Sequence, residues 1–221
     1  MKHEMGENKL YSINNPLLMT IDDFIPEEIV DLLASDIEKH CIFTDAQVST
    51  TDGTGEKSNK RNNETSSLHY LQSEGARIFL DAASASLRLN PSQAEPISVI
   101  KYKKGQQFEP HLDAFGEDKL HAYSPQAGNR IATAILYLND VQHGGETDFP
   151  NMHITIPAKK GRVVLFSNCH MGTTQPIDLS MHAGLPVIRG EKTAVNLWFR
   201  SGVYDNNCLL YTSDAADELR S

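Results

Sequence analysis

The segment FEPHLDAF, residues 108 to 115, sets an imidazole, His111, and a carboxylate, Asp113, two positions apart. In an extended chain residues i and i+2 point to one side. Pro110 disfavours the helical region for Glu109 and fixes its own φ. The segment therefore predicts a strand that aims both groups at one point. Two ligands do not close a metal site, so a third must come from elsewhere. His182, in SMHAGLPVIRGEK, is the best candidate, because a folded-over sheet can return so late a residue beside an early strand. His170, in FSNCHMG, competes with it, and spacing does not choose between them. Two imidazoles and one carboxylate on one octahedral face leave three positions open, a donor set suited to non-haem Fe(II) oxygen chemistry. Competing classes are a zinc hydrolase with the same ligands and a bound water, for which no separate general base is evident, and a non-catalytic binding module.

Residues 21–40, IDDFIPEEIVDLLASDIEKH, predict a helix: Pro26 and two glutamates stand at its start, and Ile29, Leu32, Leu33 and Ile37 recur at helical spacing. A second helix is predicted over about 73–89. Between them, residues 49–67 are polar, contain glycine and lack periodicity, which predicts a mobile loop able to act as a lid. The runs PISVIKY, RIATAILYLND, HITIPA, GRVVLFSN and KTAVNLWFRS read as strands. Helices followed by many short strands predict an α+β, mainly β fold, with N-terminal helices supporting a β-sandwich or a jelly roll (double-stranded β-helix). Period two puts Thr133, Ile135 and Tyr137 on one face of their strand, so Thr133 is expected to line the pocket.

The length of 221 residues suits one domain. We expect it to span 1–207, with a helical part over about 20–90 and a jelly-roll core over about 96–201. Residues 208–221 read as a non-native tail resembling a translated sequencing adapter. Net charge of −9 argues against nucleic acid as a partner. No apolar run approaches a membrane span, and no apolar leader segment is seen. The cysteines, Cys41, Cys169 and Cys208, form no CxxC pair. A cytoplasmic, reducing location is the expectation.

Several ordered segments carry a resemblance: YKKGQQFEPHLD, NRIATAILYLNDVQHGGETDFP, PAKKGRVVLF and HAGLPVIRGEKTAVNLWF. From about Leu17 to Arg200 the chain resembles the prolyl 4-hydroxylase-like branch of the Fe(II)/2-oxoglutarate-dependent dioxygenases. The resemblance implies His111, Asp113 and His182 as iron ligands and decides against His170. It implies that Lys192 holds the far carboxylate of 2-oxoglutarate, with the hydroxyls of Tyr102 and Tyr137 on the same co-substrate. It further implies O2 as oxidant, ascorbate as reductant, release of succinate and CO2, and C4 hydroxylation of a prolyl residue in a peptide or protein. The same chemistry on free proline or another small metabolite is the runner-up. Arg61, Arg130 and Trp198 match positions that meet peptide in relatives. The chain departs from the pattern at Phe108, where many relatives carry a tyrosine, and at Asn129, where a glutamine is common. In GGETDFP, Glu146 and Thr147 are expected to be structural, with no part in catalysis.

Overall fold

The first helix spans Glu27–His40. Pro26 is its N-cap, just outside the first turn, Glu27 and Glu28 sit at the positive end of the helix dipole, and Lys39 and His40 at the negative end. The second helix, Glu74–Leu87, starts where the Ser73 hydroxyl accepts from the Ala76 N–H at 3.1 Å, and stops where Arg88 turns left-handed at φ 55°. The two helices approach so closely at Gly75 that a Cβ there would lie 2.9 Å from Leu33. This computed structural model describes residues 8–12, 16–49, 55–56, 60–123 and 126–204. The expected 208–221 tail and residues 50–54 and 57–59 of the expected loop lie outside them.

The major sheet has eight strands in the order Lys9–Ser12, Leu18–Ile21, Val163–Ser167, Arg130–Tyr137, Lys192–Arg200, Ile97–Tyr102, Glu64–Leu68 and Thr44–Asp45. Strand periodicity divides its side chains between two cores. Ile97, Val99, Ala134, Leu136, Leu165, Val195, Leu197 and Phe199 pack with Val30, Leu33, Ile37, Phe79 and Leu80 of the helices. The alternate residues Ile100, Tyr102, Ile135, Tyr137, Phe166 and Ala194 pack with Phe149, Ile156 and Val187. Those last contacts come largely from a four-stranded sheet in the order Ile154–Ile156, Thr147–Phe149, His182–Gly184 and Phe108–His111. Two antiparallel sheets face to face, with helices behind the larger, make the anticipated jelly roll.

Two local expectations need correction. Residues 64–67 of the expected loop are not loop: Glu64–Leu68 is a strand paired with Ile97–Tyr102, and just before it Arg61 bridges to Phe108. Its polarity hid it, because Leu68 is the one fully buried apolar residue that the strand gives to the core. A short helix, Glu117–Tyr123, follows the first ligand segment and was not expected.

Asp22, at the end of the Leu18–Ile21 strand, accepts from Arg162 Nε at 2.5 Å, Arg162 Nη2 at 3.1 Å and Lys159 Nζ at 2.8 Å. Burial favours its neutral form, but the hydrogen bonds and charges of Arg162 and Lys159 outweigh this and hold its pKa at about 2, against 3.8. The difference contributes about 2 kcal/mol that is fully present above pH ~4 and lost as pH falls towards ~2. Urea denaturation of wild type and Asp22→Asn should therefore differ at neutral pH and converge across that window.

Candidate metal centre

His182 and His111 are direct antiparallel partners, and their ring centroids lie 4.4 Å apart. Asp113 completes the cluster: His111 Nε2 is 3.7 Å from one carboxylate oxygen and His182 Nε2 is 3.7 Å from the other. The three ligand atoms lie within 4.8 Å of one another, the only such metal-capable group among the described residues. His170 is exposed and stands outside it. The predicted continuous strand through Asp113 is not found. The strand ends at His111, and a bend carries Asp113 to the imidazoles.

Backbone carbonyls set both tautomers. His111 Nδ1 lies 2.9 Å from the Glu109 carbonyl and His182 Nδ1 3.0 Å from that of Ser180. Each Nδ1 donates there, leaving an Nε2 lone pair for a metal. Burial, with neighbouring His182, holds His111 neutral. Burial opposes ionisation of Asp113, but the two imidazoles, Arg130 and Thr133 outweigh it and keep the carboxylate anionic. Neutral imidazole and ionised carboxylate are the forms that bind a cation, so the donor set fits Fe(II).

Between Phe108 and His111 the strand carries an extra residue: its partners, Gly184 and His182, are only two apart. This bulge brings side chains three apart to one face. Phe108 accordingly stacks on His111 with centroids 3.6 Å apart and planes 15° apart. Arg61 lies over the same Phe108 ring at 4.7 Å, while its Nε and Nη1 donate to Asn63 and to the Gln47 carbonyl.

Thr133 is fully buried and does not reach the cavity. Its hydroxyl donates to Asp113 Oδ2 at 2.7 Å and accepts from Asn168 Nδ2 at 2.8 Å. The expected place on the pocket wall is thus replaced by a grip on the carboxylate ligand. Thr133→Val should cost about tenfold in turnover and in Fe(II) affinity, within the range for partners behind a metal ligand; Thr133→Ser should restore both. Metal titration with steady-state kinetics checks it.

Lys192 pairs with Tyr102 across the major sheet and is 3% exposed. Its Nζ donates to Thr147 Oγ1 at 3.5 Å and lies 5.2 Å from the Tyr102 and Tyr137 ring centres. Burial drives its pKa from 10.5 down to about 7, with Glu146 opposing. A buried ammonium with no ion-paired carboxylate among the described residues calls for an anion. Thr147, expected to be only structural, belongs here. Its oxygen also accepts from Tyr137 OH at 2.7 Å, so its own hydrogen is free for an acceptor in the cavity. Tyr137 is corrected accordingly: its buried hydroxyl is spent on Thr147, and it supports the subsite from behind. Tyr102 does line the cavity, and Gly184 makes room for it, since a Cβ there would lie 3.1 Å from the tyrosine oxygen.

The cavity measures 1320 Å³ and is lined by the three ligands, Lys192, Thr147, Tyr102, Arg61, Arg130 and Trp198, among others. Arg130 already has an anion: Nε and Nη2 donate to Glu95 at 2.6 and 2.8 Å, and Arg200 Nε donates to the same carboxylate at 2.5 Å. Its guanidinium sits 3.7 Å from the Trp198 ring centre, so it braces that ring. Asn129 ties down the segment after Asp113, accepting from the Phe115 N–H and donating to its carbonyl, both at 2.8 Å.

Residues 97–200 match the family model described as the 2OG-Fe(II) oxygenase superfamily. A probable prolyl 4-hydroxylase 6 of Arabidopsis thaliana is 30% identical over 210 residues, covering 85% of this chain and 69% of that protein. Prolyl 4-hydroxylase subunit alpha-3 of Homo sapiens is 33% identical over 117 residues, 53% of this chain but 21% of that subunit, so the chain spans about a fifth of that relative. Among solved structures, the viral collagen prolyl hydroxylase of Paramecium bursaria Chlorella virus-1, in its 2OG complex, aligns with TM-score 0.65 and 28% identity over 83% of this chain and 95% of that one.

Proposed function

Since this chain belongs to the 2OG-Fe(II) oxygenase superfamily, on its prolyl 4-hydroxylase branch, we propose that it hydroxylates C4 of prolyl residues in a peptide or protein. One observation carries the reading: a buried cation with no ion-paired carboxylate among the described residues, Lys192, opens onto the same cavity as a metal-ready His111, Asp113 and His182 set. When bound, Fe(II) with 2-oxoglutarate and O2 supplies the oxidation, one oxygen atom going to the substrate C–H bond and the other to succinate as CO2 leaves. The protein binds, orients and shields. His111, His182 and Asp113 would hold the metal. The Lys192 ammonium and Thr147 hydroxyl would hold the distal carboxylate of the co-substrate, fixing its distance from the ligands. No residue acts as general base. Phe108, Phe149 and Phe166 crowd the imidazoles and keep that part of the cavity dry.

The cavity exceeds the ~300–1,000 Å³ typical of small-molecule sites, which favours a polymer over free proline. Trp198, braced by Arg130, offers a flat apolar surface for the pyrrolidine ring. Ascorbate as reductant and a cytoplasmic location belong to the same proposal; free thiols at Cys41 and Cys169 suit a reducing compartment. A zinc hydrolase would leave the Lys192 and Thr147 subsite without purpose. Mass spectrometry of proline-rich peptides incubated with the protein, Fe(II), ascorbate and 2-oxoglutarate tests the function. A gain of one oxygen on proline is expected; succinate release with free proline hydroxylated and peptides untouched would replace the substrate.

A further inference from the structure

The inner face of the Lys192–Arg200 strand presents Lys192, Ala194, Asn196 and Trp198 in period two. Lys192 and Trp198 have a role above and Ala194 packs in the second core; Asn196 has no part yet. Its side chain lines the cavity beside the ligands and Trp198. It is 9% exposed, and its Oδ1 is buried without a hydrogen-bond partner. Buried carboxamides are normally satisfied. Asn129, buried behind Phe115 of the cavity wall, makes hydrogen bonds through both ends of its amide. Asn168 also leaves its oxygen unpaired, but its nitrogen is engaged with Thr133 and it does not line the cavity. Among the described residues, Asn196 therefore combines an unpaired buried acceptor with a place on the cavity wall. Its cross-strand neighbours there are Ser98 and Ile135, which line the same wall.

An unpaired amide oxygen needs a donor. The co-substrate is a dicarboxylate and brings none. A prolyl residue brings none either, because its nitrogen carries no hydrogen. The nearest donors on a peptide substrate are the main-chain N–H groups of the residues that flank the proline. Asn196 lies between the carboxylate-binding end of the strand, Lys192, and the ring surface of Trp198, where such a flanking amide would pass. We propose that Asn196 is a specificity-determining residue that accepts a hydrogen bond from the main-chain N–H next to the target proline. The inference rests on the peptidyl-proline reading above. It gives a physical reason for preferring a peptide: the amide that satisfies Asn196 exists only when the proline is built into a chain.

The test pairs ester-for-amide peptides with substitutions at Asn196. In two otherwise identical proline peptides, the N–H before or after the target proline is replaced by an ester oxygen. With wild type, one of the two esters should raise the peptide KM about fivefold or more, the size of one ordinary buried hydrogen bond. With Asn196→Ala that ester and its amide parent should have KM values within about twofold of each other, as removal of one partner of a coupled pair predicts. The amide parent should itself lose about fivefold or more in KM, while the KM for 2-oxoglutarate stays within about twofold. The wild-type comparison needs no variant, and Asn196→Thr, which keeps an acceptor, covers a poorly folding alanine variant by retaining part of the ester penalty. Equal KM values for both esters and the amide with wild type, or an undiminished ester penalty in Asn196→Ala, would overturn the inference and leave the hydroxylase reading standing. A wild-type protein that hydroxylates no proline peptide would overturn both.

Discussion

Replacing Asp113 with alanine lowers Fe(II)-dependent succinate formation by more than about 100-fold, because a lost ligand must cost more than the ~10–100-fold loss of a group behind one. The carboxylate is the only anion in the cluster and joins both imidazoles, at 3.7 Å from each. Without it the two rings keep their backbone hydrogen bonds, but the site gives up the charge that balances a divalent cation. His111→Ala should be as severe and carries a second consequence, since Phe108 loses the ring on which it stacks. Succinate production with Fe(II) and 2-oxoglutarate, measured on folded variants, checks both. Substantial turnover in either would remove the triad from the chemistry.

Lys192→Ala raises the KM for 2-oxoglutarate by about 30-fold, within the range of a charge-assisted hydrogen bond removed from a buried carboxylate. Thr147 would remain as a neutral donor, so binding weakens without vanishing. The pH dependence sharpens the assignment. With its pKa brought to about 7 by burial, Lys192 is protonated below pH 7 and progressively neutral above it. Affinity for the dicarboxylate should therefore be level below ~7 and fall by up to about tenfold per pH unit above it, and this slope should disappear in Lys192→Ala. The variant's KM and its pH profile together check the assignment; a KM equal to wild type would place the co-substrate carboxylate elsewhere.

The parts of the site legible in the sequence are those that strand periodicity and local motif control. The alternation Thr133, Ile135, Tyr137 puts these side chains on one inner face of their strand, so their direction follows from order alone. What each side chain meets there depends on the neighbouring strand. Thr133 proved to face Asp113 because the Asp113 bend lies across from it, and Tyr137 to face Thr147 because two sheets close at that point. Thr147 carried no local signal; its part follows from the approach of Lys192 from the opposite sheet. The bulge between Phe108 and His111 was invisible in spacing, because two residues against three is a property of the pairing with His182 and Gly184. The Glu64–Leu68 strand was hidden for a different reason. It lies beside the cavity mouth, where backbone pairing rather than apolar burial holds it.

The most direct test of the metal centre is anaerobic absorption spectroscopy. Adding 2-oxoglutarate to the Fe(II)-loaded protein should produce the visible metal-to-ligand charge-transfer band of a 2-oxo acid chelated to ferrous iron, saturating at one iron per chain and absent in Asp113→Ala. Failure of the folded wild-type protein to develop that band, or its undiminished growth in Asp113→Ala, would contradict the assignment of His111, Asp113 and His182 as the iron site.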